Sequence, residues 1–280
     1  MSLEMCVLAS GSGGNCTVLR TPAGVVLIDA GIGPRTAAAR MNGTGAHVRD
    51  IAAICVTHLD RDHFSPGWAN FIATRGVRVF CHRRCVVDVL EMLGDDLRQH
   101  IVGFDDPFEP VDGLYVEPIA LAHDRAGSHG FLIEGFGCRV GYATDLGRVP
   151  AELVERFVDL DVLAIESNYD PLMQEHSARP NFLKQRIMGG RGHLSNEQAL
   201  AAVRQILDRC ERHGARLPAH IVLLHRSRQC NCPNLVRKLF SRDARIARRL
   251  TLAEQFERSG WLRSRPAPAL VGEQLLLGWT

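Results

Sequence analysis

The stretch Thr57-His58-Leu59-Asp60-Arg61-Asp62-His63 places four potential metal ligands within six residues, at the end of a strand expected over Ile51–Thr57. Side chains on a loop at a strand's C-terminal end can converge on one point. Histidine supplies neutral nitrogen and aspartate hard oxygen, the mixture taken by Zn, Mn or Fe. One such loop decides little, because exposed loops collect His and Asp by chance. The pattern recurs, however. His123-Asp124 follows the apolar run Leu114–Ala122, Asp145 follows Val140–Thr144, and His225 follows Ile221–Leu224. Four strand ends that each deliver a ligand make a metal site the better reading.

Outward from these points the chain alternates short apolar runs with turn signals. Strands are expected over Met5–Ala9, Thr17–Leu19, Val25–Ile28, Val77–Cys81, Leu114–Leu121, Gly130–Glu134, Arg139–Ala143, Val162–Glu166 and His220–Leu224. Helices are expected over Pro66–Thr74, Arg83–Leu93, Ala151–Phe157 and Asn196–His213. The last is the best defined: Ser195 can cap it, Gln198 completes a capping box and Gly214 stops it. Its residues Leu200, Val203, Leu207 and Cys210 form one stripe, so it packs on a sheet. Runs of strands with helices between them, repeated in the second half, predict two sheets packed face to face with helices outside. No internal repeat is visible in the residues themselves. No linker stands out, so one domain is expected over residues 1–280, with 243–280 as a possible basic extension. The polar stretch Gln174–Asn181 is expected as a loop over the site.

A hydrophobic content of 46% and a charged content of 23% suit a folded core. The net charge is only +2, yet from Ala201 onward fifteen Lys+Arg face six Asp+Glu. A basic final third suits an anionic polymer, although a solvated set of arginines on surface helices is the somewhat better reading. The N-terminus lacks a basic region followed by an apolar stretch, and no apolar run approaches a membrane span, so a cytoplasmic protein with no membrane partner is expected. The nine cysteines are irregularly spaced. Cys6, Cys55, Cys138 and Cys210 sit in apolar runs, as reduced core thiols do. Cys81 and Cys85 read as structural, and the role of Cys230 and Cys232 stays open.

Taken together, the spacing His58-x-Asp60-x-Asp62-His63 with His123, Asp145 and His225 resembles the motif series of the metallo-β-lactamase superfamily, with Asp29 in Leu-Ile-Asp-Ala-Gly as its first motif. Ser10-Gly-Ser-Gly-Gly-Asn-Cys16, Thr144-Asp-Leu-Gly147, Glu166-Ser-Asn-Tyr-Asp170, Gly192-His-Leu-Ser-Asn196 and Leu224-His-Arg-Ser227 resemble its YycJ (WalJ) branch of exonucleases and hydrolases. The likeness runs over about residues 5 to 235.

The resemblance implies an α/β fold, a four-layer αββα sandwich, with two divalent metal ions (Zn, Mn or Fe) at one edge. One ion would take His58, Asp60, His123 and Asp145. The other would take Asp62, His63, His225 and the bridging Asp145. Asp29 would brace the metal loop from behind. The departure is Asp60, where the usual pattern has His; an oxygen ligand hardens the first site towards Mn or Fe. A hydroxide bridging the two ions would be the nucleophile, and Asp62 joins the catalytic set. Gly-His-Leu-Ser resembles a ribonuclease Z motif, by which His193, partnered by Glu166, would protonate the departing oxygen. His193 packing inertly in its loop is an equal reading of the residues alone.

Ser10, Ser12, Asn168, Ser195 and Arg226 are candidate substrate contacts, and Asp170 and Arg228 are further cleft candidates. The glycine-rich loop lacks a Gly-Lys-Ser ending, so a nucleoside triphosphate site is not expected. The expected activity is a metal-dependent phosphodiesterase or nuclease acting on DNA or RNA. The same centre would also suit a small-molecule hydrolase of a thioester, lactone or cyclic phosphodiester, an iron oxidoreductase, or a non-enzymatic binder. Oligomeric state is not legible.

Overall fold

The computed structural model describes residues 2–125 and 127–264. The first half holds β1 (Glu4–Ala9), β2 (Cys16–Thr21), β3 (Gly24–Ile28), α1 (Pro34–Met41), β4 (Ile51–Cys55), α2 (Ala69–Arg75), β5 (Arg78–His82), α3 (Val86–Leu93), β6 (Ile101–Phe104) and β7 (Phe108–Val111). The second half holds β8 (Leu114–Leu121), β9 (Ser128–Gly135), β10 (Cys138–Ala143), α4 (Ala151–Arg156), β11 (Val162–Glu166), α5 (Pro171–Glu175), α6 (Asn181–Met188), α7 (Asn196–Arg212), β12 (His220–Leu224), α8 (Pro233–Phe240), α9 (Ala244–Ala247), β13 (Leu250–Leu252) and β14 (Leu262–Arg263).

The strands form two seven-stranded sheets, in the orders β14-β1-β2-β3-β4-β5-β6 and β13-β12-β11-β10-β9-β8-β7. The apolar residues of the facing sides, among them Val7, Ile28, Phe131, Tyr142 and Leu224, interlock into the central core. The outer side of the first sheet packs on residues such as Trp68, Ile72 and Val89 from the 66–93 helical region. The outer side of the second sheet is covered by Leu153 of α4, the Val203–Leu207 stripe of α7 and Val236 of α8. This is the αββα sandwich. Both sheets expose apolar residues on both faces, which is why several strands read as continuous apolar runs rather than alternating ones.

Each sheet repeats one plan. From β1 to β6 two antiparallel pairings give way to three parallel ones. From β8 to β13 the same sequence of pairings recurs. Consequently β3 and β4 end on one edge of their sheet, and β8, β10, β11 and β12 end on one edge of theirs.

Helix α7 forms as its caps dictate. The Ser195 hydroxyl accepts from the Gln198 N–H, and the Gln198 side chain accepts from the Ser195 N–H. The Gln174–Asn181 stretch joins α5 to α6, so more of it is ordered than a covering loop. Within the region read as a basic extension, β13 pairs with β12 and β14 pairs with β1, making them edge strands of the two sheets. Residues 265–280 of that region lie outside the described residues. All nine cysteines are unpaired; Cys230 packs against Tyr169 and Ile187, and Cys232 precedes α8. Among the described residues no helix is long and apolar enough to cross a membrane.

Candidate metal centre

Six strand ends feed one cluster. Asp29 follows β3, His58–His63 follow β4, His123 follows β8, Asp145 follows β10, Glu166 closes β11 and His225 follows β12. Three of these residues adopt left-handed backbone: Asp29 at φ 58°, Asp145 at φ 52° and His225 at φ 50°. Such strain at non-glycine residues persists where surrounding contacts over-determine it, and it turns each side chain sharply off its strand. The hydrogen bonds that hold it are visible. The His225 N–H donates to the Ser10 hydroxyl at 2.7 Å, and the Asp145 carbonyl accepts from Ser128 at 2.7 Å.

The donors gather in two nests. In the first, Asp60 Oδ2 lies 3.6 Å from His58 Nε2 and 3.7 Å from His123 Nε2, and Asp145 Oδ1 is 3.9 Å from His123 Nε2. In the second, His63 Nε2 is 2.9 Å from Asp145 Oδ2 and 3.7 Å from Asp62 Oδ2, while His225 Nε2 is 3.1 Å from Asp62 Oδ2. Two donors on one cation at bond lengths of about 2.1 Å stand roughly 3–3.5 Å apart. Both nests lie within a few tenths of an ångström of that spacing, the second the closer of the two.

The other ring nitrogens settle the tautomers. His63 Nδ1 meets Asp29 Oδ2 at 2.7 Å, His123 Nδ1 meets the Gly192 carbonyl at 3.0 Å, and His58 Nδ1 meets the Thr57 hydroxyl at 3.0 Å. A carboxylate or carbonyl that takes the Nδ1 proton leaves an Nε2 lone pair aimed into the nest. His225 Nδ1 faces Glu166 Oε1 at 3.3 Å and the Asn168 amide at 3.2 Å. Asp29 is fully buried and also accepts from the Thr57 N–H and hydroxyl.

Five carboxylates around one spot demand positive charge. Burial alone would raise the carboxyl of Asp145, but His225 and His63 hold it well below the usual range. Asp62 and Glu166 are likewise pushed up by burial, yet end lowered by His225 and His63, and by His193 and His225, respectively. Asp60, hydrogen-bonded by His123 and His58, is lowered too. In return, against the opposing effect of burial, Asp60 and Asp145 push His123 up to about 9, and Asp145, Asp62 and Glu166 push His225 up to about 10. Protons on imidazoles balance the carboxylates here; divalent cations would do the same job with greater charge. The donor set therefore fits hard or borderline divalent metals, and no cysteine belongs to it among the described residues.

Beside the nests, His193 Nδ1 pairs with Glu166 Oε1 at 2.7 Å and lies 3.3 Å from Asp145 Oδ1. Both Glu166 oxygens are engaged, since Oε2 accepts from the Leu146 and Leu194 N–H groups.

A cleft of about 400 Å³ opens over the cluster. Its walls include Ser12, Asp60, Asp62, Asn168, His193 and His225. Ser10, Ser195 and Arg226 stand elsewhere. Ser10 sits beneath His225, Ser195 caps α7, and Arg226 is buried in an ion pair with Glu254. Arg228 lies over the Phe256 ring, and Asp170 caps α5.

Sequence reasoning passed over Asn15, whose side chain reaches the Asp62 carbonyl at 3.1 Å and His63 Nε2 at 2.9 Å, clamping the glycine-rich loop to the metal loop. It also passed over Arg179 and Arg186 on the cleft wall. Leu183 and Ile187, four apart on α6, carried the one available signal for that wall.

A family profile described as a beta-lactamase superfamily domain matches residues 25–221. The exodeoxyribonuclease YycJ of Bacillus anthracis is 25% identical over 238 residues, covering 85% of this chain and 87% of its own. Among solved structures, a diphosphatase from the PhnP family superposes with a TM-score of 0.63 at 16% identity, over 94% of this chain and 99% of that one. Human tRNase Z, short form, superposes with a TM-score of 0.59 at 18% identity, over 92% and 98%. With strand-end histidines and aspartates at one edge of its sandwich and a profile match across most of its length, the chain belongs to the metallo-β-lactamase superfamily as a YycJ-like member.

Proposed function

We propose that the protein is a metal-dependent phosphodiesterase of the nuclease kind, with two divalent ions and DNA or RNA as substrate. The observation that carries this is the pair of adjoining donor nests that share Asp145, whose Oδ2 faces His63 and whose Oδ1 faces His123. One ion is assigned to His58, Asp60, His123 and Asp145, the other to Asp62, His63, His225 and Asp145. Zn, Mn or Fe there would activate water near neutral pH and neutralise charge on a phosphoryl oxygen. The exposed carboxylate of Asp60, in place of an imidazole, shifts the first site towards Mn or Fe.

The chain's own residues supply the rest. Asp29 and Thr57 fix the His63 ring, and Asn15 with Asp62 fixes the entry of the metal loop. Asp62 lines the cleft and is placed to take a proton from the attacking water. Glu166 holds His193 by Nδ1, so Nε2 remains to carry a proton to the departing oxygen. Ser12 and Asn168 face the substrate from the cleft wall. Support for a polynucleotide comes from the Bacillus anthracis relative, named as an exodeoxyribonuclease.

The test is element analysis of purified protein followed by assays on bis(p-nitrophenyl) phosphate and on end-labelled single-stranded DNA and RNA. Two equivalents of metal and chelator-sensitive cleavage are expected. A fully metal-loaded protein that leaves every phosphodiester intact while opening a thioester or lactone would refute the assignment.

A further inference from the structure

The metal cleft is not closed at the α6 side. Asp124 and Arg186 line it, and both also line a second, open groove of about 620 Å³ whose other walls are Arg125, Gln185, Gly189 and Arg191. That volume is within the range that holds a whole drug-sized ligand, about a nucleotide unit rather than a single phosphate. Three guanidiniums therefore face one carboxylate. Arg186 is paired with Asp124. The Arg125 and Arg191 side chains, both exposed, have no hydrogen bond or ion pair among the described residues.

The groove is also geared to the metal site through its backbone. Arg191 sits in the turn Gly189-Gly190-Arg191-Gly192. The Arg191 carbonyl accepts from the Asp124 N–H at 2.7 Å, and the next carbonyl, that of Gly192, accepts from His123 Nδ1 at 3.0 Å. Arg125 adjoins Asp124 on the other side, two residues beyond His123. An anion held between Arg125 and Arg191 is thus fixed in register with one ligand of the first metal nest. Arg125 also lines a further cavity that includes Arg84 and the stacked rings of His82 and His129, 4.5 Å apart.

We propose that this groove is the track for the sugar–phosphate backbone of a polynucleotide, with Arg125 and Arg191 binding phosphates beyond the one being cleaved. The proposal rests on the phosphodiesterase reading and sharpens it to a polymeric substrate. Phosphate contacts of this kind position a strand without reading its sequence, and they release counterions when made.

The experiment uses the metal-loaded full chain and oligo(dT) of about 4 and 12 nucleotides, with bis(p-nitrophenyl) phosphate as a substrate confined to the cleft. For the parent, KM for the longer oligonucleotide should be lower and should rise steeply with salt. In Arg125→Ala/Arg191→Ala, KM for the 12-mer should rise about tenfold at ~0.1 M salt, and the slope of log(1/KM) against log salt should shrink by about 1.4, from ~0.7 per phosphate contact on a single strand. Arg191→Glu should raise KM further by repulsion. Turnover of bis(p-nitrophenyl) phosphate reports separately that the metal cleft is intact. A parent whose oligonucleotide KM ignores both length and salt, or a double variant with unchanged KM and slope, overturns the track while leaving the phosphodiesterase reading in place. A parent that cleaves bis(p-nitrophenyl) phosphate is what separates those outcomes from failure of that reading itself.

Discussion

The two sheets carry the same strand plan but end their third strands in different chemistry. After β3 stands Asp29-Ala30-Gly31, and after β10 stands Asp145-Leu146-Gly147. Both aspartates have left-handed backbone and are buried. Both glycines are forced by close backbone: a Cβ on Gly31 would meet the Asp62 carbonyl at 1.8 Å, and one on Gly147 would meet the Arg191 amide nitrogen at 2.3 Å. The partners differ. Asp29 is engaged by Thr57 and by the Nδ1 of His63, which suits it to orient that ring. Asp145 meets His193 and His225 at Nδ1, but it also meets Nε2 atoms, the sides of His63 and His123 that face the nests. On the function proposed above, the same turn would build a brace in one half and a bridge in the other. Asp29 meets an imidazole at Nδ1, whereas Asp145 also reaches Nε2 atoms.

The largest expected effect tests that distinction directly. Asp145→Asn should lower phosphodiester cleavage by about a thousandfold or more, because one nest loses its oxygen donor and both lose the carboxylate charge they share. Element analysis should find metal content well below the parent's. Asp29→Asn, at the equivalent turn, should keep both metals at saturating concentration but bind them about 10–100-fold more weakly, the usual cost of removing an outer partner. Metal titration of chelator-stripped protein gives both numbers. Equal losses in the two variants would erase the difference between brace and bridge.

A third variant sharpens the assignment inside the second half. His193→Ala should slow cleavage of DNA by about 10²–10⁴-fold, the range of a proton donor to a poor leaving group. With p-nitrophenolate departing, which needs no proton, the loss should be far smaller, and metal content should be unchanged. Loss of a metal equivalent would instead make His193 a ligand, since Asp145, Glu166, His193 and His225 also converge closely enough to hold an ion.

These contrasts show what the residues alone could and could not disclose. The clustered His and Asp positions were legible because each follows an apolar run, and strand-end geometry needs no long-range information. Helix α7 was legible because its cap, its stripe and its stop are all local. The repeated sheet plan was not visible, since hydrogen-bond topology recurs without residue identity. The edge strands β13 and β14, three and two residues long, are too short to show a period. Arg186 and Asn15 were missed for another reason. Their partners, Asp124 and Asp62, are 62 and 47 residues away, so only the folded chain makes them meaningful. The weight of arginine after Ala201 pointed towards a polyanion, yet several of those side chains are held by acids. Arg204, Arg216, Arg226, Arg245 and Arg263 all pair with carboxylates.

That last contrast sets the smallest expected effect. Arg245 joins Asp208 and Glu211 of α7 to Asp243, the cap of α9. Asp243, hydrogen-bonded by Arg245, is lowered to about 2. A carboxyl whose folded pKa lies below its unfolded value contributes stability that is present above the unfolded value and lost as pH falls through the folded one. Arg245→Ala should therefore lower the melting temperature by about 2–4 °C at pH 7, corresponding to ~1 kcal/mol for a partly exposed network. The gap between variant and parent should narrow as pH falls from about 4 towards 2, where Asp243 becomes neutral in both. Calorimetry across that range checks the sign, and a gap that widens on acidification would remove Asp243 as the partner. Oligonucleotide KM should not change in this variant, because Arg245 ties helices together and lines no part of the metal cleft or of the groove beside α6. A weakened KM would instead place the polyanion on the basic final third of the chain and leave Arg125 and Arg191 as bystanders.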